Sequence, residues 1–169
     1  MPVLALLRGA NLGSKRFSPK AVEAALADLE VRSIGAAGTF VVGKRVAEST
    51  LRKRLADAMP FEPEVLVVAA KDVQAALAAG EALKAPDGAR RFATALSKEP
   101  GRVALPLEAP EGKGWGVRVL AVEGRFALGV RRRVDETGVY PNEVIEKAFG
   151  VRATTRDWPT MEKAAKLLK

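Results

Sequence analysis

Apolar residues in the first half of the chain form two kinds of pattern. Four short runs are apolar almost throughout, and a bounded run of four to eight apolar residues is typical of a buried β-strand. We expect the fourth run to be a central strand, because it has no polar face. The predicted strands are residues 2–7, 31–34, 39–42 and 65–70.

Between these runs, apolar residues recur at the spacing of one helix face. One predicted helix follows Ser18-Pro19, a favourable start, and a second ends before Pro60. The order strand–helix–strand–strand–helix–strand is the ferredoxin-like arrangement. The apolar positions are Val22, Ala25, Leu26 and Leu29 in the first helix and Leu51, Leu55, Ala58 and Met59 in the second.

The second half predicts a different set of elements. A short helix over 72–77 is closed by Gly80, and the proline- and glycine-rich residues 106–114 predict an exposed loop. Glu123-Gly124 joins two strands in a tight hairpin. The other predicted elements are strands at 91–96, 115–122, 125–130 and 151–155, a helix at 141–149 and a final helix carrying Met161, Ala164 and Leu168.

These elements predict an α+β protein with two parts. Residues 1–80 form a ferredoxin-like βαββαβ N-terminal subdomain. Residues 81–169 form a second small α+β subdomain that shares a core with the first.

The composition excludes several kinds of chemistry. The 169 residues include no cysteine and no histidine, which excludes disulfides, thiolate catalysis and cysteine-bound zinc and removes the commonest general base. We therefore predict no cofactor and no transition metal, whereas a hard cation held by carboxylates alone stays open. Without an 18-residue apolar stretch or a signal peptide, we expect no membrane partner and a cytoplasmic location.

The net charge of +8 favours an anionic partner without specifying one. The excess of lysine and arginine is spread over both halves of the chain rather than collected in a tail. Aromatic residues make up only 5 % of the sequence, which argues against a surface on which nucleic-acid bases stack.

The segment between the first strand and the first helix is the strongest candidate for a binding site. Glycines let backbone N–H groups converge, and a helix N-terminus favours anions. The alternative is structural, with the glycines and the asparagine serving only the geometry of the turn. The spacing of a phosphate-binding P-loop is absent. The candidate ligand-binding residues here are Arg8, Gly9, Asn11, Gly13, Lys15 and Arg16.

A second candidate segment lies near the end of the chain. Thr155 and Arg156 offer hydrogen-bond donors to an anion. Alternatively, Trp158 anchors the final helix to the core, and Asp157 pairs with Arg156 or with the helix N-terminus.

Three consecutive arginines follow the predicted hairpin. Phosphate groups of a nucleic acid would suit Arg131, Arg132 and Arg133. Alternatively, the charges protect a strand edge or a strand end. Tyr140, the only tyrosine, is either a polar contact or a packed ring with a solvated hydroxyl group.

Three of these segments resemble one family. The opening LALLRGANLGSKR, the tripeptide Tyr140-Pro141-Asn142 and the closing ATTRDWPT resemble the "ALLRG-N-G", "YPNG" and "TTRNWNT" motifs of the domain-of-unknown-function family 1697. This chain departs from those motifs at Glu143, Asp157 and Pro159. The resemblance implies an α+β fold of two small subdomains and no established activity.

The sequence thus favours a protein that binds a phosphate-bearing ligand or a nucleic acid at residues 8–16. Two alternatives are an enzyme acting on a small phosphorylated substrate by electrostatic stabilisation, and a protein-interaction module. No catalytic residue is predicted, and no particular oligomeric state is indicated.

Overall fold

The computed structural model describes residues 1–10 and 16–169, which contain two antiparallel sheets and six helices. Main-chain contacts divide the chain into two compact units. Unit 1 comprises Met1–Val73 and Lys163–Lys169, and unit 2 comprises Gln74–Glu162. The domain limits expected from the sequence, 1–80 and 81–169, stay a prediction, because main-chain contacts do not establish which part folds alone.

Unit 1 is built on a four-stranded sheet with the strand order β2-β3-β1-β4. Each neighbouring pair of strands is antiparallel. Two helices follow the first and third strands, and a 3₁₀ turn at Ala27–Leu29 extends the first helix. The elements are β1 (Val3–Arg8), α1 (Pro19–Ala25), β2 (Val31–Ser33), β3 (Thr39–Val42), α2 (Glu48–Asp57) and β4 (Glu64–Ala69).

Local chemistry explains the limits of α1. The Ser18 side chain accepts a hydrogen bond from the Ala21 N–H at 3.2 Å, and Pro19 occupies the first turn, as expected for a helix start. The predicted single helix through Leu29 is instead interrupted, because Leu26 leaves helical geometry and the chain continues as the 3₁₀ turn.

The expectation that the fourth strand is central was wrong. β4 lies at one edge of the sheet, and β1 is its single partner among the described strands. Its apolar character reflects burial of both faces, since Leu66 and Val67 point in opposite directions and are 3 % and 8 % exposed. A continuous apolar run therefore reports burial rather than position in the sheet.

Unit 2 is built on a five-stranded antiparallel sheet with the strand order β6-β7-β8-β5-β9. Its strands are β5 (Arg90–Leu96), β6 (Leu107–Ala109), β7 (Val117–Glu123), β8 (Phe126–Arg131) and β9 (Ala153–Asp157). The remaining helices of the chain are α3 (Ala70–Glu81), α4 (Val134–Thr137), α5 (Pro141–Phe149) and α6 (Trp158–Leu167), of which α3 and α6 contain the divisions between the units.

Two expectations for the second half were wrong. The segment 106–114 is not entirely loop, because β6 lies within it and pairs with β7. Gly80 does not close a helix at residue 77, because α3 continues through it to Glu81. The hairpin of β7 and β8 and the helix at Pro141–Phe149 were predicted from the sequence and are present.

Each unit has its own apolar core. In unit 1, α1 and α2 contribute Val22, Leu51 and Leu55 to a cluster around Phe40 of β3. In unit 2, Ile145 of α5 joins a cluster on the second sheet. Full burial of one such side chain stabilises a fold by about 1.5–3 kcal/mol. No helix within the described residues has both the length and the apolar character needed to cross a membrane.

Candidate functional site

Arg8, the first candidate residue of the opening segment, is the last residue of β1. Glu64 lies opposite it in the antiparallel register, and the Arg8 Nη1 atom is 3.1 Å from the Glu64 Oε2 atom. Both side chains are about one-third exposed. The positive charge of Arg8 is therefore already matched by a carboxylate within unit 1.

Gly9 has a φ of +71°, a left-handed conformation that other residues adopt at a cost. No atom of the described residues other than its chain neighbours lies within 4 Å of the position that a Cβ would take there, so the backbone conformation itself favours glycine. Arg16 is exposed. Asn11, Gly13 and Lys15 lie outside the described residues, and the binding site at 8–16 therefore stays a prediction.

The two candidate residues of the closing segment lie in β9, where they point to opposite faces of the second sheet. Thr155 lies opposite Thr94 and Arg156 opposite Ala93 in the register with β5. Their side chains do not converge on one anion.

Arg156 is buried, and burial lowers the pKa of its guanidinium to about 10, so it stays charged at neutral pH. Its Nη1 atom donates to the Thr154 hydroxyl oxygen and to the Thr155 carbonyl oxygen, each at 2.8 Å. These contacts favour a structural role.

Thr155 instead belongs to a chain of polar side chains on the face covered by α5. Its hydroxyl group donates to the Asn142 Oδ1 atom at 2.5 Å, and its oxygen lies 2.7 Å from the Thr94 hydroxyl oxygen. Because the single Thr155 proton is directed at Asn142, Thr94 is the donor to Thr155. Two segments of the family resemblance thus meet here, one through Asn142 and the other through Thr155.

Several arginines line a groove in unit 2 of about 490 Å³, hereafter the arginine groove. Four arginines and one aspartate line it together with two small or apolar residues. The lining residues are Gly88, Arg90, Arg131, Arg132, Arg133, Val134 and Asp135.

Arg90 and Arg131 lie directly opposite each other in this groove, in the antiparallel register of β5 and β8. Side chains opposite each other in an antiparallel pair share a face and have Cβ atoms about 4.5–5.5 Å apart, and like charges there are destabilising. Within residues 1–10 and 16–169, neither guanidinium forms an ion pair or a hydrogen bond. The fold therefore places two arginines without an ion-pair partner among the described residues directly opposite each other in the sheet.

The other two arginines of the groove are restrained by neighbours. The Arg132 guanidinium donates to the Lys113 carbonyl oxygen at 2.8 Å and lies 4.1 Å from the centre of the buried Trp115 ring. Arg118 lies 4.0 Å from the centre of the same ring. Arg133 pairs with Asp135, with nitrogen–oxygen distances of 3.0 and 3.2 Å.

A smaller recess of about 200 Å³, hereafter the Tyr140 recess, adjoins the groove and shares Arg131 with it. Strand register explains why the groove and the recess lie on the same face of the sheet. Phe92 follows Arg90 by two residues in β5, and it pairs with Gly129 of β8 on one side and with Asp157 of β9 on the other. The recess is lined by Arg131, Tyr140, Pro141, Asn142, Thr155 and Asp157.

The sequence predicted Arg131, Arg132 and Arg133 as candidate residues but not Arg90. One structural alternative for the three arginines, protection of a strand edge, was wrong, because β8 lies between β7 and β5. The other, a position at a strand end, agrees with the structure, because β8 ends at Arg131. The local signal for Arg90 was its place at the start of an apolar strand, but pairing with Arg131 depends on a register across 40 intervening residues. Such a register is set by tertiary packing.

Carboxylates do not form a metal site in the part of the chain that the structure describes. No group of three or more aspartates or glutamates there is placed to share an ion. The absence of a cofactor stays a prediction.

Comparison with known proteins identifies a structural relative. The conserved bacterial protein SP0830 from Streptococcus pneumoniae matches 99 % of this chain over 98 % of its own, with 19 % sequence identity and a TM-score of 0.58. At this identity the likeness concerns the fold alone. No protein-family model matches the chain, and a search of curated proteins gives no match.

Proposed function

We propose that this protein binds a phosphate-bearing ligand in the arginine groove. The observation that carries the proposal is the cross-strand pair of Arg90 and Arg131, whose guanidinium groups form no ion pair or hydrogen bond with a described residue. Arginine presents a planar fork of donors that matches the oxygens of a phosphate group. A bound phosphate would turn an unfavourable repulsion into two charge-assisted interactions.

The setting of the pair supports this proposal. Arg90 is exposed and Arg131 is half-buried, so a ligand from solvent reaches both. Arg133 adds charge at the rim of the groove, although Asp135 balances part of it. Gly88 carries no side chain that would narrow the entrance.

The opening segment is a second proposed anion site, in unit 1. Its support is the sequence motif together with the left-handed Gly9, while the Arg8–Glu64 ion pair reduces the positive charge available there. Lys15 and Arg16 are the cations proposed to contact an anion at this site.

Three broader assignments accompany the proposal. Unit 1 is a ferredoxin-like subdomain, which the element order and the strand order of its sheet support. The chain is a member of the domain-of-unknown-function family 1697, supported by the three sequence motifs. The protein acts in the cytoplasm.

Titration calorimetry with inorganic phosphate and pyrophosphate at low salt tests the groove. The variant R90Q/R131Q removes both forks, and we expect at least tenfold weaker binding, since hydrogen bonds to charged groups contribute about 1.5–3 kcal/mol each. The control R32Q/R102Q removes the same charge from exposed positions outside the groove. Equal weakening in both variants, or no binding by the unmodified protein, would overturn the proposal.

A further inference from the structure

The Tyr140 recess and the arginine groove share Arg131 as a lining residue. An inorganic phosphate held by Arg90 and Arg131 would leave this recess to water. A phosphate ester carries its organic group on one of the phosphate oxygens, so a phosphate bound at Arg131 would bring that group within reach of the recess.

The wall of the recess contains both a hydrogen-bond donor and a hydrogen-bond acceptor. The Asn142 Oδ1 atom accepts a hydrogen bond from the Thr155 hydroxyl group, and the Asn142 Nδ2 group donates to none of the described residues. Asp157 accepts a hydrogen bond from the Thr160 N–H through its Oδ1 atom at 3.0 Å, and its second oxygen accepts none from the described residues. The recess thus offers one amide donor and one carboxylate acceptor.

Tyr140 adds an apolar surface to these groups. Its ring is 52 % exposed, although large apolar side chains are mostly buried in this protein. Tyr140 directly precedes Pro141, the first residue of α5, and the start of this helix fixes the backbone of Tyr140 beside the recess. An exposed aromatic face beside hydrogen-bonding groups suits a ring that carries hydroxyl groups.

The carboxylate of Asp157 also argues against an extended polyanion. A second phosphate group entering the recess would meet a negative charge, and like charges in close contact disfavour binding. A neutral group that donates hydrogen bonds meets no such penalty. The recess is therefore complementary to an uncharged, hydroxyl-bearing group attached to one phosphate.

We propose that the Tyr140 recess binds the sugar of a pentose phosphate, either free or as part of a nucleotide, whose phosphate group lies between Arg90 and Arg131. This inference rests on the proposed function of the arginine groove. Tyr140 packs against the sugar ring, and Asp157 and Asn142 bind its hydroxyl groups.

The test compares the affinities of inorganic phosphate, ribose 5-phosphate and adenosine 5′-monophosphate, measured by calorimetry on the full chain. We expect ribose 5-phosphate to bind about tenfold or more tightly than phosphate, as two net hydrogen bonds would give. If adenosine 5′-monophosphate binds more tightly than ribose 5-phosphate, the ligand of the recess is a nucleotide. If these two compounds bind with equal affinity, the ligand is a free sugar phosphate. Phosphate binding without a gain from the sugar overturns the inference but leaves the proposed function, whereas no binding of any of the three overturns both.

Variants identify the residues responsible. Y140A and D157N should each lower the ratio of the ribose 5-phosphate affinity to the phosphate affinity by about threefold or more, and Y140F should keep it. Asparagine at 157 retains the oxygen that accepts from Thr160, so the start of α6 is preserved. The control D135N removes a carboxylate from the groove but not from the recess and should leave the ratio unchanged. Unchanged ratios in both Y140A and D157N would contradict the assignment.

Discussion

The indole ring of Trp158 occupies the space beside Gly80 in which any other residue would place its Cβ atom. Trp158 is 6 % exposed, and the Arg91 guanidinium lies 4.9 Å from the centre of its ring. The Arg91 Nη1 atom also donates to the Gly80 carbonyl oxygen at 3.3 Å. Trp158 therefore anchors the start of α6, as the structural alternative for the closing segment expected.

We expect G80V to destabilise the protein, because the added side chain overlaps a large buried ring. Overpacking of this kind costs about 1–3 kcal/mol. The matched control A78V introduces the same residue at an exposed position of α3 and should cost less than about 1 kcal/mol. Urea unfolding of both variants measures the difference, and equal losses would show that the ring can move away from the added side chain.

The arginine groove should lower stability in the absence of ligand. R131Q removes the repulsion across β5 and β8, and we expect a gain of about 0.2–1 kcal/mol at low salt. The gain should shrink near 1 M salt, where the Debye length falls to about 3 Å. R102Q, an exposed loop variant with the same change in net charge, should gain less. A loss of stability in R131Q relative to R102Q at low salt would contradict the repulsion.

Glu23 gives a pH-dependent contribution within unit 1. Its Oε1 atom accepts from the Ser33 hydroxyl group at 2.6 Å and from the Ser33 N–H at 2.5 Å, and these hydrogen bonds lower the pKa of the Glu23 carboxyl. A lowered pKa in the folded state stabilises the protein above the unfolded value of 4.5, and this stabilisation is lost as the pH falls through the folded pKa.

S33A should therefore raise the Glu23 pKa towards its ordinary value while the backbone hydrogen bond remains. NMR titration of the Glu23 carboxyl carbon measures the shift. The stability lost in S33A should be largest near neutral pH and smaller in acid. The control S97A, at an exposed serine, should change neither quantity, and an unaltered Glu23 titration in S33A would refute the role of the hydroxyl group.

Local patterns predicted many elements because their signals lie within a few residues. β3 at Thr39–Val42 coincides with a four-residue run, and α5 begins at Pro141 and ends before Gly150 as its sequence indicates. Packing overrode local signals elsewhere. Gly80 has the low helix propensity of a stop signal, yet α3 continues through it because only glycine leaves room for Trp158.

The site was harder to predict than the fold. Thr155 and Arg156 are neighbours in sequence, and strand geometry separates them, whereas Arg90 and Arg131 are distant in sequence and the sheet brings them together. Which face a residue occupies depends on strand register, and a shift of one residue would exchange the faces. No local pattern fixes that register.

A nucleic acid and a small phosphate ester should respond differently to changes in the arginine groove. A nucleic acid would contact several phosphates through dispersed cations, so its log affinity should fall with log salt by about 0.7–0.9 per phosphate contacted, with little sequence preference. R131A/R132A/R133A should then weaken the binding of single-stranded RNA and duplex DNA and reduce that slope.

The matched variant K15A/R16A separates this groove from the opening segment. If a nucleotide-sized anion binds at residues 8–16, K15A/R16A should weaken its binding and the triple arginine variant should change it little. If the arginine groove is the site, R131A/R132A/R133A should weaken the binding of the anion and K15A/R16A should change it little. Fluorescence anisotropy with labelled RNA and calorimetry with nucleotides provide the measurements. Absence of binding to nucleic acids and nucleotides at low salt would exclude both sites for these ligands and favour a protein-interaction module.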